Sequence, residues 1–168
     1  MRMQDLPTVI DLEASGFGAN SYPIEVGIAL ASGKTACFLI CPSTDWDHWD
    51  RASENLHGLR REQLLKFGKP VLEVARTLNE LLAAQTVYSD AWGFDQTWMS
   101  RLYSAAGVRQ HFRLEALQSL FSEQQFGLWN RTLEQVFVEC RFPRHRASND
   151  ARAIQLAFQR SAHLAEVC

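Results

Sequence analysis

Three short apolar runs open the chain, and the gaps between them limit what it can fold into. Thr8 to Glu13 (TVIDLE), Ile24 to Leu30 (IEVGIAL) and Thr35 to Cys41 (TACFLIC) have strand length and strand composition. Ser32-Gly33-Lys34, between the second and third, is a hairpin turn signal. Ser15 to Ser21 is a turn-rich loop between the first two. The simplest start is a three-stranded antiparallel meander. In its first strand the pleat puts Val9, Asp11 and Glu13 on one face and Ile10 and Leu12 on the other.

The pattern then changes. A polar segment, Pro42 to Asp50, is followed by a short helix over Arg60 to Phe67. Val71, Val74, Ala75, Leu78, Leu81 and Leu82 recur at helical spacing, with Pro70 suited to the first turn. Gln85 to Ser89 reads as a fourth strand, Asp95 to Ala106 as a helix, and His111 to Leu114 as a fifth strand. Two further amphipathic helices follow, marked by Trp129, Leu133, Val136, Phe137 and Cys140, then by Ile154, Ala157, Phe158 and Ala165. Three sequential strands followed by α/β alternation predict an α/β fold with a mixed five-stranded sheet flanked by helices. No linker or repeat divides residues 1–168, so a single domain is expected.

Composition narrows the classes. The chain is 46% hydrophobic and 21% charged, which excludes a disordered tail protein. No run approaches the roughly 20 apolar residues of a membrane helix, and Met1 to Pro7 lacks the core of a secretory signal. Cys37, Cys41, Cys140 and Cys168 form no CxxC pair, which argues for reduced thiols and a cytoplasmic protein. A formal net charge of −2 argues, at first sight, against a nucleic-acid partner.

Four acids stand out by position. Asp11 and Glu13 share a strand face, Asp95 opens a helix after the fourth strand, and Asp150 opens the last helix, with Ser148 or Asn149 as its cap. His145 lies in the loop before that helix. An acid in a first helical turn is most simply a capping or dipole residue. Asp11 escapes that reading, because a carboxylate inside VIDLE needs a cation: a metal or a distant Arg.

Taken in order, these segments resemble the DEDDh 3′→5′ exonucleases, the family of ribonuclease T, oligoribonuclease and the proofreading exonucleases. Val9-Ile10-Asp11-Leu12-Glu13-Ala14-Ser15-Gly16 resembles the first motif, Gly93-Phe94-Asp95 the second, and His145-Arg146-Ala147-Ser148-Asn149-Asp150-Ala151 the third. Tyr22 to Gly27 and Asn55-Leu56-His57-Gly58-Leu59 are similar to intervening family segments. The ordered set is far more specific than any one motif. One departure is plain. The family often carries His-Asn just before the second motif, where this chain has Asp90-Ala91. Asp90 reads as a strand-end turn residue or as an extra acid near the metals.

The resemblance implies an RNase H-like fold and a two-metal hydrolase. Phosphodiester hydrolysis needs a nucleophilic hydroxide and charge stabilisation at the phosphate, and two divalent ions about 4 Å apart supply both. Mg²⁺, or Mn²⁺ in its place, takes hard oxygen ligands. Asp11 would then bridge the pair, Glu13 and Asp150 would bind one ion, and Asp95 would support the other. His145 would be the general base, since a neutral imidazole can accept a proton at pH 7.

The implied substrate is a single-stranded RNA or DNA 3′ end, released as 5′-mononucleotides. Phe17, in the loop with Ser15 and Gly16, would wedge against the terminal base; Trp92 and Phe94 flank the second motif, Arg146 beside the third could reach phosphate, and His57 reads as either a substrate-side or a structural residue. Phe94 reads equally as core, and Glu25 as an acid supporting Asp11 and Glu13 or pairing with an Arg. Two other readings stay open: a nucleic-acid-binding protein without catalysis, and an RNase H-like endonuclease. Pairing into a homodimer is also open. The four acids carry −4, so the rest of the chain sums to +2 and the objection from net charge weakens.

Overall fold

The computed structural model describes residues 6–167; Met1 to Asp5 and Cys168, used in the readings of the leader and the thiols, lie outside the described residues. Five strands are observed: β1 (Val9–Ala14), β2 (Pro23–Ala29), β3 (Thr35–Leu39), β4 (Thr86–Ser89) and β5 (Arg113–Ala116). The helices are α1 (Arg51–His57), α2 (Arg61–Phe67), α3 (Val71–Leu82), α4 (Trp92–Ala106), α5 (Glu123–Cys140) and α6 (Ala147–Val167). The strands form one sheet in the order β3-β2-β1-β4-β5. β1 pairs antiparallel with β2, and β2 with β3; β1–β4 and β4–β5 are parallel. The expected mixed sheet, an RNase H-like arrangement, is observed.

Each sheet face buries its own core. Ile10, Leu12, Val26 and Ile28 join Leu78 of α3 and Met99 and Leu102 of α4. Val9 and Ala29 join Trp129 and Val136 of α5 and Ala151, Ile154 and Phe158 of α6. Cross-strand register puts Asp11 opposite Gly27 and Glu13 opposite Glu25, so these acids share the α6 face. Because β1 is paired on both sides, a one-residue slip would exchange Asp11 and Glu13 for Ile10 and Leu12, and both cores oppose it.

Four local expectations need correction. Helix α1 falls where the sequence shows little apolar periodicity. It is instead set by its ends: the Asp50 carboxylate accepts the Ala52 N–H at 3.0 Å, and Gly58 closes it at φ 70°. Helix α4 begins at Trp92, three residues before Asp95, which therefore sits within the first turn. β5 lies two residues later than expected, its register set by pairing of Thr86 with Arg113 and Ser89 with Ala116. Helix α6 begins at Ala147, so Ser148 and Asn149 lie inside it and neither is the cap. Glu25 takes that role from another strand: its carboxylate accepts the Ala147 N–H at 2.9 Å.

Candidate active site

Two features of β2 bring α6 to the acids. Gly27 is the first: a Cβ there would lie 2.0 Å from the Ala147 carbonyl carbon and 2.1 Å from the Ser148 nitrogen. The first turn of α6 therefore rests directly on the sheet, and only glycine leaves room for it. Glu25 is the second. It is fully buried, holds Arg146 at 2.7 Å and accepts the Cys37 thiol at 3.2 Å as well as the Ala147 N–H. A buried carboxylate is stable only with such a set of donors. The Arg146 guanidinium, expected at substrate phosphate, is engaged by Glu25.

This docking carries His145 and Asp150 to β1. Ligand atoms of Glu13, His145 and Asp150 all lie within 4.8 Å of one another. His145 adopts a left-handed backbone, φ 60°, and its N–H donates to Asp150 Oδ2 at 2.8 Å. A non-glycine residue held there is a strain that the surrounding contacts must fix. The imidazole borders two small cavities. One, about 100 Å³, is lined by Glu13, Phe17, His57 and Trp98; the other, about 160 Å³, by Asp11, Asp90 and Asp150.

Asp95 comes from the other side. Burial in α4 leaves it 1% exposed, and the Ser89 hydroxyl at the end of β4 donates to its Oδ2. Burial is the largest cause pushing the Asp95 carboxyl up to about 7. Burial and the Asp150 carboxylate push Glu13 up to about 8, and burial pushes Asp150 up to about 6. Asp11 is held well above the usual carboxylate range by burial and then by Asp95, Glu13, Asp150 and Asp90. Asp90 is itself raised by burial. Like charges confined in this way repel, and each favours a cation among them. Asp150 Oδ1 is buried with no hydrogen-bond partner. A lone pair left empty beside clustered carboxylates fits a divalent ion bound through hard oxygens.

The remaining predicted residues divide into exposed and engaged. Phe17 is 60% and Phe94 54% exposed, so Phe94 is not core. Their rings meet edge to face at 5.5 Å, and Phe94 stacks on Trp98 at 5.7 Å. Trp92 is 42% exposed, with its indole N–H fixed on the Leu114 carbonyl at 2.9 Å. The Ser15 hydroxyl is taken up by the Tyr22 N–H and His48 Nδ1, and Gly16 packs against His48 and Asp50 too closely for any side chain. His57 is buried; its Nδ1 accepts the Leu59 N–H, so Nε2 carries the proton, and Nε2 has no partner. Burial lowers its pKa.

Sequence reasoning gave Gly27 no packing role beyond its place in a family-like segment, read His48 as a surface or structural residue, and passed over Ser89. Only Gly27 had a signal, a lone glycine inside an apolar strand.

No protein-family model matches the chain, and no curated protein matches it. Solved structures do. The fold superposes on exonuclease I from Methylocaldum szegediense with a TM-score of 0.70 at 13% identity, over 94% of this chain and 40% of that one. It superposes on E. coli exonuclease I in complex with a dA16 oligonucleotide with a TM-score of 0.66 at 12% identity, over 96% and 42%. A zinc-bound form of the E. coli enzyme with single-stranded DNA gives 0.61 at 13%, over 97% and 41%. The chain thus spans about two fifths of the length of these proteins. The likeness read from the motifs extends to the fold.

Proposed function

We propose that the chain is a metal-dependent 3′→5′ exonuclease of the DEDDh type, acting on single-stranded nucleic acid. One observation carries the reading: Glu13, His145 and Asp150, from opposite ends of the sequence, meet within 4.8 Å beside Asp11 and a buried, unpartnered Asp150 oxygen. The likeness in fold to exonuclease I supports it.

Asp11, Glu13, Asp95 and Asp150 are the residues that would hold two divalent ions. Such ions, when bound, supply a nucleophilic hydroxide and offset charge at the scissile phosphate. His145 accepts the proton of the attacking water at a ring nitrogen; its main-chain bond to Asp150 keeps the imidazole at the mouth of the site. Ser89 orients Asp95. Phe17 and Phe94 offer a face against which a terminal base can stack, and the His57 Nε2 proton awaits an acceptor in the same cavity.

The test is incubation with 5′-labelled single-stranded RNA and DNA in Mg²⁺, Mn²⁺ or EDTA. A metal-dependent ladder shortening from the 3′ end is expected, and its rate on each polymer identifies the preferred sugar. Cleavage of a circular single strand would instead indicate an endonuclease. Binding without hydrolysis in either metal would indicate a silent binding protein.

A further inference from the structure

A basic feature lies at the opposite end of β4 from the acids. Two adjoining cavities, about 450 and 810 Å³, share Arg109 and His111. Arg76 lines one and Arg113 the other; Glu80 is the one carboxylate among the lining residues. All three arginines are exposed, and none forms an ion pair among the described residues. The segment is held rigid from below. The Asn79 side chain donates to the Arg109 carbonyl and accepts the His111 N–H, at 2.8 and 2.9 Å, while Phe112 is buried. Guanidinium groups presented by a fixed backbone are suited to phosphate.

The topology connects this surface to the acids. Thr86 and Arg113 pair at the cavity end of β4 and β5, while Ser89, bonded to Asp95, pairs with Ala116 at the other end. Three strand steps separate the two ends, roughly 10 Å. Between them stands the exposed Trp92, clamped on Leu114 of the edge strand β5. Ser89 with Asp95, then Trp92, then Arg113 thus follow one another along β4 and β5, beside the central strand β1 that carries Asp11 and Glu13. Alternating stacking and cationic groups are what a single strand needs.

We propose that the Arg76–Arg109–Arg113 cavity binds the phosphodiester backbone of a single-stranded substrate upstream of the end held at the acids. The inference rests on the proposed function for its polarity. It makes the edge of β5 a substrate track, so that oligomers long enough to reach the arginines bind more tightly than short ones.

Anisotropy of 5′-fluorescein oligomers of about 3 and about 12 nucleotides, in EDTA, tests it. The wild-type protein should bind the longer oligomer at least about tenfold more tightly. The paired substitution Arg109→Glu with Arg113→Glu should collapse that ratio toward one and reduce the salt slope for the longer oligomer by about 1.4, the contribution of two phosphates. The same reversal at the exposed Arg131 of α5 should leave the ratio alone. A ratio retained in the paired variant, or lost equally in Arg131→Glu, overturns the proposal. So does a wild-type ratio near one with saturable, arginine-dependent binding of a free 5′-mononucleotide by calorimetry, which would mark a small-ligand site. Because binding is read without metal, failure of hydrolysis in Mg²⁺ and Mn²⁺ refutes the proposed function alone, whereas an unchanged ratio refutes the track alone.

Discussion

Glu25 on β2 holds Arg146, 121 residues later in the chain, in an ion pair of 2.7 Å. The carboxylate is fully buried and the guanidinium half-exposed, so the pair fastens the third-motif loop to the sheet from inside. Removing Glu25 leaves the Ala147 N–H and the arginine without their acceptor. Glu25→Ala should cost about 3 kcal/mol in urea denaturation, with divalent-metal affinity falling in parallel. An unchanged unfolding midpoint would show that α6 docks without this clasp.

Gly27 makes the same point by exclusion. A methyl group at 2.0 Å from the main chain of Ala147 has nowhere to go, because both partners are backbone. Gly27→Ala should destabilise the fold by on the order of 3 kcal/mol and displace His145 and Asp150. Calorimetric titration with Mn²⁺ should show weakened binding even at temperatures where the variant stays folded.

Asp11→Asn should abolish metal-dependent hydrolysis and reduce Mn²⁺ uptake. His145→Ala should lower kcat by roughly 10²–10⁴ while leaving metal binding near wild type, since the role proposed for it is proton transfer. Wild-type turnover in either purified variant would sink the assignment.

The raised carboxyls make stability depend on pH in a definite direction. Glu13 near 8 and Asp95 near 7 bind protons in the folded state that the unfolded chain has already released. Without metal, their protonated forms favour folding, and that contribution is progressively lost as pH rises from the ordinary carboxylate range to about 8. The Tm of metal-free protein should therefore fall between pH 5.5 and 8.5, and millimolar Mg²⁺ should oppose the fall. A Tm that rises over this interval in EDTA would contradict the shared burial of these acids.

Phe17 is 60% exposed, so its removal should hardly alter stability. If it stacks on the terminal base, Phe17→Ala should weaken binding of a short oligomer by about 1–3 kcal/mol. Fluorescence anisotropy in EDTA measures this directly.

The sheet was legible in the sequence because apolar runs and turn signals agree with strand geometry. The acids were legible by motif order, and Asp11 also by physics, since an acid inside VIDLE demands a cation. Helix α1 was not, because Asp50 and Gly58 set its ends while its interior lacks an apolar stripe. The clasp was only half legible. Glu25 announced a buried acid, but its use as the cap of α6 depends on a contact across 122 positions. Local spacing carries no information about such a contact. The arginine cluster was hidden for a similar reason: Arg76 lies on α3, Arg109 precedes β5 and Arg113 opens it, and only folding assembles them.

The docking of α6 on Gly27 also has a consequence for the order in which the protein is made. Asp11, Glu13 and Asp95 emerge early in translation, while His145 and Asp150 belong to the segment that lands on the sheet after every strand has been synthesised. Until α6 docks, the sheet carries Asp11 and Glu13 without the imidazole and carboxylate that meet them in the folded protein.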